Sequence, residues 1–335
     1  MGKFLEDEKT RQSKFKQESG YFSRESLADG FYRTKYRPYC IPRGRSSENL
    51  FSDIRDPAIR YFSEYEIKWH DGIRKTPSNH LCDSMVCCVN FLFPFANKPL
   101  ALKELLRPLF PTIEEILPME KDGLFLTFEW IGNENYLGEK VRGQGKRTRG
   151  ANFTSADAAV MFRRRDKKKQ IVLIEWKYTE SYGRTFLKFS KSGTDRTKIY
   201  EHLFRQDDFP LKKELLPSFD SLFYEPFYQF MRQQSLAHEM EKSRELGADV
   251  VSLLHIAPAA NKAFQRVTSP PLAELGEAVT KIWKDLQREP NRFHSISTEE
   301  MFSRFPIQNY SALDSWWEYI TSRYSWVSVM REELV

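Results

Sequence analysis

Two apolar stretches, SADAAVMF at 155–162 and QIVLIEWKY at 170–178, are separated only by RRRDKKK at 163–169. So short a linker cannot hold the crossover helix that parallel strands need, so the two runs are predicted to pair as an antiparallel hairpin. The basic linker reads as a solvated turn, with a phosphate contact as the sharper reading. The second strand then breaks its own pattern. Four aliphatic residues at 171–174 prepare a buried strand, and Glu175 and Lys177 follow before the apolar pattern has ended. Alternation puts Ile171, Leu173, Glu175 and Lys177 on one face, with Val172, Ile174 and Trp176 on the other. Glu175 and Lys177 are thus neighbours roughly 6.6–6.8 Å apart along the strand.

The first strand contributes Asp157 among Ala156, Ala158 and Ala159, whose small side chains leave room beside a carboxylate. An unpaired buried carboxylate is costly, so these groups must pair or hold a cation. Two carboxylates on adjacent strands repel. A divalent cation would remove that repulsion, while Lys177 offsets part of the charge. Oxygen-only ligands suit a hard ion such as Mg²⁺, with Mn²⁺ as a substitute. The bland reading of a Glu–Lys pair at a strand end is a solvated salt bridge.

Length and composition set the frame. The chain has 335 residues, 40% hydrophobic and 29% charged, enough for one large domain or two modest ones. Its net charge of +6 fits a nucleic-acid partner without demanding one. The N-terminus lacks the apolar segment of a secretory signal, and the longest apolar run, at 85–96, is too short for a bilayer. No membrane partner is expected. Cys40, Cys82, Cys87 and Cys88 follow no zinc or disulfide spacing, so reduced thiols in a cytoplasm are expected.

Residues 1–80 are basic and aromatic by turns, with RTKYRPYCIPRGR at 33–45 reading as an extended arm. Residues 81–118 read as helical and 122–132 as a strand. KVRGQGKRTRG (140–150) reads as a basic mobile loop carrying Arg142, Lys146, Arg147 and Arg149. Beyond the hairpin, 195–206 and 225–246 read as helices, 248–258 as a strand buried on both faces, and the tail to 335 as helical. The expected divisions are 1–80, 81–260 and 261–335.

The order Asp157, seventeen residues, Glu175-x-Lys177 on a strand–turn–strand resembles the PD-(D/E)xK phosphodiesterase superfamily, the restriction-endonuclease-like fold. More narrowly, RGANFTSADAAVMF followed by IVLIEWKYTESYG resembles a group of restriction endonucleases. The likeness is strongest over 124–258. It implies an α/β fold with a central mixed four-stranded sheet flanked by helices, and mainly helical N- and C-terminal extensions. It further implies that Asp157, Glu175 and the Trp176 carbonyl bind a catalytic metal while Lys177 orients or activates the attacking water. The usual Pro before the Asp is Ala156 here.

Auxiliary candidates are Glu129, Glu139, and Gln229 with Gln233, one helical turn apart. Thr179, Glu180 and Tyr182 extend the strand toward the site, whereas His255 reads as a core histidine. Arg142, Lys146, Arg147 and Arg149 are candidate DNA contacts, as are the basic residues of 33–45 beside Tyr32, Tyr36 and Tyr39. The expectation is a Mg²⁺-dependent deoxyribonuclease acting in restriction or defence. Double-strand cleavage would most simply use a C₂ homodimer, for which Trp316 and Trp317 offer an interface unless they pack on their own core. The rivals are a non-catalytic DNA-binding or assembly protein, and a structure-specific repair nuclease or RNase.

Overall fold

In the computed structural model, which describes residues 2–72, 75–140, 146–151 and 153–328, the chain opens on helix α1 (Lys3–Glu18). A small hairpin of β1 (Gly30–Tyr32) and β2 (Lys35–Arg37) follows. Next come helices α2 (Ser52–Glu64), α3 (Ser84–Leu92) and α4 (Pro99–Leu106). Strands β3 (Ile113–Leu117), β4 (Thr127–Trp130), β5 (Ala156–Arg164) and β6 (Lys169–Trp176) precede helices α5 (Thr197–Phe204) and α6 (Phe227–Lys242). The chain continues through β7 (Val250–Ala257), α7 (Val279–Leu286), β8 (Phe293–Ser297), α8 (Thr298–Ser303) and α9 (Asp314–Arg323).

The expected hairpin is the middle of the main sheet. β5 and β6 pair antiparallel from Ala158 opposite Ile174 to Arg163 opposite Lys169. The turn between them closes with Lys167 in the left-handed region at φ 69° and its N–H donating to the Arg164 carbonyl at 2.9 Å. β7 lies parallel to β6 and is buried along its whole length, as its Val/Leu/Ile run requires between two covered faces. The helices at 195–206 and 225–246 also form, the first with Asp195 accepting from the Thr197 N–H at 3.0 Å.

The sheet is nonetheless larger than expected. It has six strands rather than four, in the order β3-β5-β6-β7-β8 with β4 also on β5. β3 had been absorbed into the helical stretch 81–118 and β8 into the helical tail. Each is five residues long, and their half-exposed patterns carry too little alternation to separate them from helical neighbours. β3 also has a register irregularity between Ile113 and Glu115.

A hydrophobic layer covers each face. On one, Val172, Ile174 and Trp176 pack with residues from Phe4 to Val327, so the chain's first and last helices cover the same face. On the other, Ile171 and Leu173 pack under α5, α6 and α7 through residues such as Leu203, Phe230 and Trp283. Among the described residues no single helix is long and apolar enough to cross a membrane. All four cysteines are free and buried.

Arg323, 1% exposed, fastens the ends of the chain together. It donates to Gln12 Oε1 (3.0 Å), the Asn49 carbonyl (2.7 Å) and the Leu81 carbonyl (3.0 Å), and also to the Tyr319 hydroxyl. Truncation would strand several buried acceptors at once. Arg323→Ala is therefore expected to cost roughly 3–5 kcal/mol, read as a lowered urea midpoint. A midpoint within error of the parent would show that these bonds contribute nothing net.

Candidate active site

Continuing the β5–β6 register one step beyond Ala158–Ile174 brings Asp157 opposite Glu175, on the same face of the sheet. The regular ladder ends there, and the Asp157 side chain takes the place of a backbone acceptor: its Oδ2 receives the Trp176 N–H at 2.7 Å. The β4–β5 register, Phe128–Ala158 and Trp130–Ala156, likewise sets Glu129 opposite Asp157. Glu175 in turn stands beside His255 on β7, and His255 beside Ser295 on β8. One polar row, Glu129–Asp157–Glu175–His255–Ser295, thus crosses the sheet. At its outer end Glu129 has φ 49°, an uncommon backbone state for a residue with a Cβ.

The charged groups are held from above by α6. Gln229 donates its Nε2 to Glu175 Oε1 at 2.6 Å and accepts the Lys177 Nζ at 2.7 Å through its own Oε1. One turn later Gln233 donates both to Glu175 Oε2 and to the Ser155 carbonyl. Lys177 Nζ also pairs directly with Glu175 Oε1. Ser155 closes the circuit by donating to Glu129 Oε2 at 2.7 Å. The two glutamines expected on a shared helix face therefore do meet the acid and the lysine.

Burial is the dominant electrostatic influence. It raises the Asp157 carboxyl well above the usual carboxylate range, with Glu175 and then Glu129 adding repulsion. Burial also lifts Glu129 to about 7, against the Ser155 hydrogen bond and with further repulsion from Glu175. For Lys177 burial works against the charge, but Glu175 beside it outweighs this and holds the ammonium well above its ordinary value. Glu175 and Lys177 are only 2% and 5% exposed.

Glu129, Asp157, Trp176 and Lys177 line a cavity of about 740 Å³, together with Thr179, Glu180 and Tyr182. The Trp176 carbonyl receives the Ser84 hydroxyl at 3.4 Å, at the start of α3, where Asp83 caps the helix by accepting the Val86 N–H at 2.9 Å. His255 is buried in a stack on Phe264, with its Nδ1 3.2 Å from Ser295 Oγ. Burial takes its pKa down to about 3, so it stays neutral, as expected of a core histidine.

Other expected site residues lie elsewhere. Glu139 is buried away from the cavity, accepting from the Thr154 N–H (2.7 Å) and hydroxyl (2.6 Å) and from the Tyr200 hydroxyl (2.7 Å). Arg147 donates inward to the Gly132 and Asn133 carbonyls, both at 2.9 Å. Arg149 pairs with Glu120 and donates to Thr127, Tyr61 and the Phe128 carbonyl. Their guanidinium groups brace the fold, supplying donors to carbonyls left by the β4 end. Lys146 makes an exposed pair with Glu66. Arg142 lies outside the described residues. Trp316 is 1% exposed and donates to the Asn90 carbonyl at 2.8 Å, with Trp317 against it, so it packs on its own core. Ser155 and Ser84 had gone unnoticed, since an isolated serine beside a motif carries no spacing signal.

A mixed sheet presenting two facing carboxylates and a lysine at the end of a buried hairpin is consistent with a restriction-endonuclease-like phosphodiesterase. The chain belongs to the REase-ARP family, described as restriction endonuclease associating with ARP, which it matches over residues 8–325. No curated protein and no solved structure matches it.

The raised Glu129 value has a consequence for stability. Its folded value of about 7 exceeds the ordinary 4.5, so between them the folded chain binds the extra proton and stability falls as pH rises. Glu129→Gln is expected to flatten that part of the curve, by up to roughly 3 kcal/mol between pH 4.5 and 7, in urea titrations of both proteins. Parallel curves would rule the effect out.

Proposed function

We propose that this protein is a metal-dependent endonuclease that hydrolyses DNA phosphodiesters, serving restriction or defence against foreign DNA in a reducing cytoplasm. The observation that carries the reading is Asp157 opposite Glu175 on one sheet face, with Lys177 two residues on, paired with Glu175 and bonded with it to Gln229, while Asp157 accepts the Trp176 N–H between them. Membership of a restriction endonuclease family supports the same reaction class.

The donor chemistry fits a hard divalent cation. The groups offered by Asp157, Glu175 and the Trp176 carbonyl are all oxygen, and the Glu175 and Glu129 repulsion that adds to burial at Asp157 is what a cation would relieve. Among the described residues no three His, Cys, Asp or Glu side chains form a ready-made metal cluster. Asp157, Glu175 and the Trp176 carbonyl, with water, would hold the ion. When bound, Mg²⁺ supplies Lewis acidity to a phosphoryl oxygen.

The chain's own residues do the remainder. Lys177 presents its ammonium to the attacking water and to charge growing on the phosphoryl oxygens. Gln229, bonded to both Lys177 and Glu175, fixes the distance between them. Water oxygen bonds to phosphorus, the bond to the leaving sugar oxygen breaks, and that oxygen takes up a proton from solvent as the attacking water gives one up.

A plasmid-nicking assay with Mg²⁺ tests this reading. Asp157→Asn, Glu175→Ala and Lys177→Ala are each expected to slow nicking by about 10²–10³-fold, in protein whose circular dichroism matches the parent. Equal nicking by parent and variants would remove these residues from the reaction.

A further inference from the structure

The wall facing Asp157 and Lys177 comes from the segment before residue 81. It contains Lys9 of α1, Tyr32, Arg33 and Arg37 of the β1–β2 hairpin, Tyr39 and His80. The hairpin is seated firmly. A Cβ at Gly30 would lie 2.0 Å from the Ile41 carbonyl, so only glycine permits this approach, and Gly30 N–H donates to the Cys40 carbonyl at 2.9 Å. The same carbonyl takes the buried Lys16 Nζ at 3.2 Å.

Cations and rings alternate on this wall. The Tyr32 and Tyr39 rings flank His80 at 4.7 and 5.1 Å, the Arg33 guanidinium lies 5.2 Å over Tyr32, and the Lys9 ammonium 5.2 Å over Tyr39. Burial takes His80 down to about 4, leaving a neutral ring at physiological pH. The wall's acids are engaged internally. Asp71 accepts from the Tyr32 hydroxyl, Asp83 faces His70 at 3.5 Å, and Glu180 accepts the Tyr178 N–H at 2.7 Å. The Arg37 side chain, by contrast, has no hydrogen-bond or ion-pair partner among the described residues, and its Nε is buried without an acceptor. A buried guanidinium donor without an acceptor on a cavity wall calls for an anion from outside.

Cations interleaved with aromatic faces suit a nucleic-acid strand, whose phosphates take the charge and whose bases stack. Size decides which form of strand. A cavity of about 740 Å³ is on the scale that encloses a drug-sized ligand or a few nucleotides. A duplex is far larger, since its major groove alone is about 12 Å wide. Asp157 and Lys177 line the same cavity as these cations and rings, so a scissile phosphodiester reaching them would enter between the two groups of residues.

We propose that this site takes an unpaired DNA strand, with Arg37 holding a phosphate beside the scissile one and Tyr32 and Tyr39 stacking bases. The proposal rests on the nuclease reading above. One active site then suffices for one strand, without the paired sites that duplex cleavage demands.

The test measures fluorescence anisotropy of the full chain, in EDTA, with labelled 15-nucleotide probes: single-stranded DNA, the blunt duplex of the same sequence, and the RNA equivalent. Single-stranded DNA is expected to bind at least tenfold tighter than the duplex. Arg37→Ala should weaken that binding about tenfold and lower the slope of log affinity against log salt by about one, as loss of one phosphate contact requires. Equal affinity for duplex, tighter binding of the RNA strand, or an unchanged salt slope in Arg37→Ala would each overturn the assignment. A parallel Mg²⁺ cleavage assay keeps the two ideas apart. Strand-selective binding without cleavage of any probe would defeat the nuclease reading alone, whereas Mg²⁺-dependent cleavage of duplex and single strand at equal rates would defeat this inference alone.

Discussion

The ion pair between Glu175 and Lys177 is the interaction on which the site's geometry depends. Taking a carboxylate and an ammonium nearly out of water is expensive, and their mutual attraction alone often fails to offset the cost. Two things make it tolerable here. The four aliphatic residues before Glu175 are fully buried, and such side chains contribute about 1.5–3 kcal/mol each, which anchors the strand whatever its end carries. Gln229 and Gln233 then satisfy the lone pairs and protons that the pair itself leaves open. A hydrophobic pair of similar size would fill this place at lower cost, so the charges are an argument for chemistry rather than for stability.

The neighbouring carboxylates push the other way. Glu129, Asp157 and Glu175 lie side by side in one row, with Lys177 as the cation bonded among them. Burial first, and then the repulsion among three acids sharing one ammonium, makes Asp157 and Glu129 bind protons readily. The left-handed backbone at Glu129 fits the same logic, since uncommon conformations persist where surrounding structure imposes them.

How much of this was legible follows from range. The hairpin, Asp157 and the Glu175–Lys177 pair are local: linker length, alternation and a fixed spacing determine them, and the structure brings them together as the sequence implied. Gln229 and Gln233 were legible as a shared helix face, though their partner was not. The internal bonds of Arg147 and Arg149 were not legible, because composition marks a basic glycine-rich stretch as exposed. Their real partners, at 61, 120, 127 and 132–133, come from distant sequence and can be found only once the chain is folded. β3 and β8 escaped for a related reason, since an edge strand of five residues is stabilised by its neighbour and not by its own pattern.

The same dependence on distant partners explains why the segment before residue 81 reads in sequence only as basic and aromatic, with 33–45 as an extended arm. Its cations and tyrosines have no periodicity of their own, because their placement is set by what they pack on: the Gly30 approach to Ile41, the His80 ring between two tyrosines, and Gln12 against Arg323. Arg323 sits near the end of the last helix, so the cavity wall opposite the carboxylates is anchored by residues some three hundred positions apart. The three carboxylates and Lys177 are positioned by the hairpin, β4 and α6, whereas the cavity they line is completed by residues before 81. The shape of that cavity is therefore set by residues far apart in sequence, from Lys9 on the first helix to Gln229 on α6.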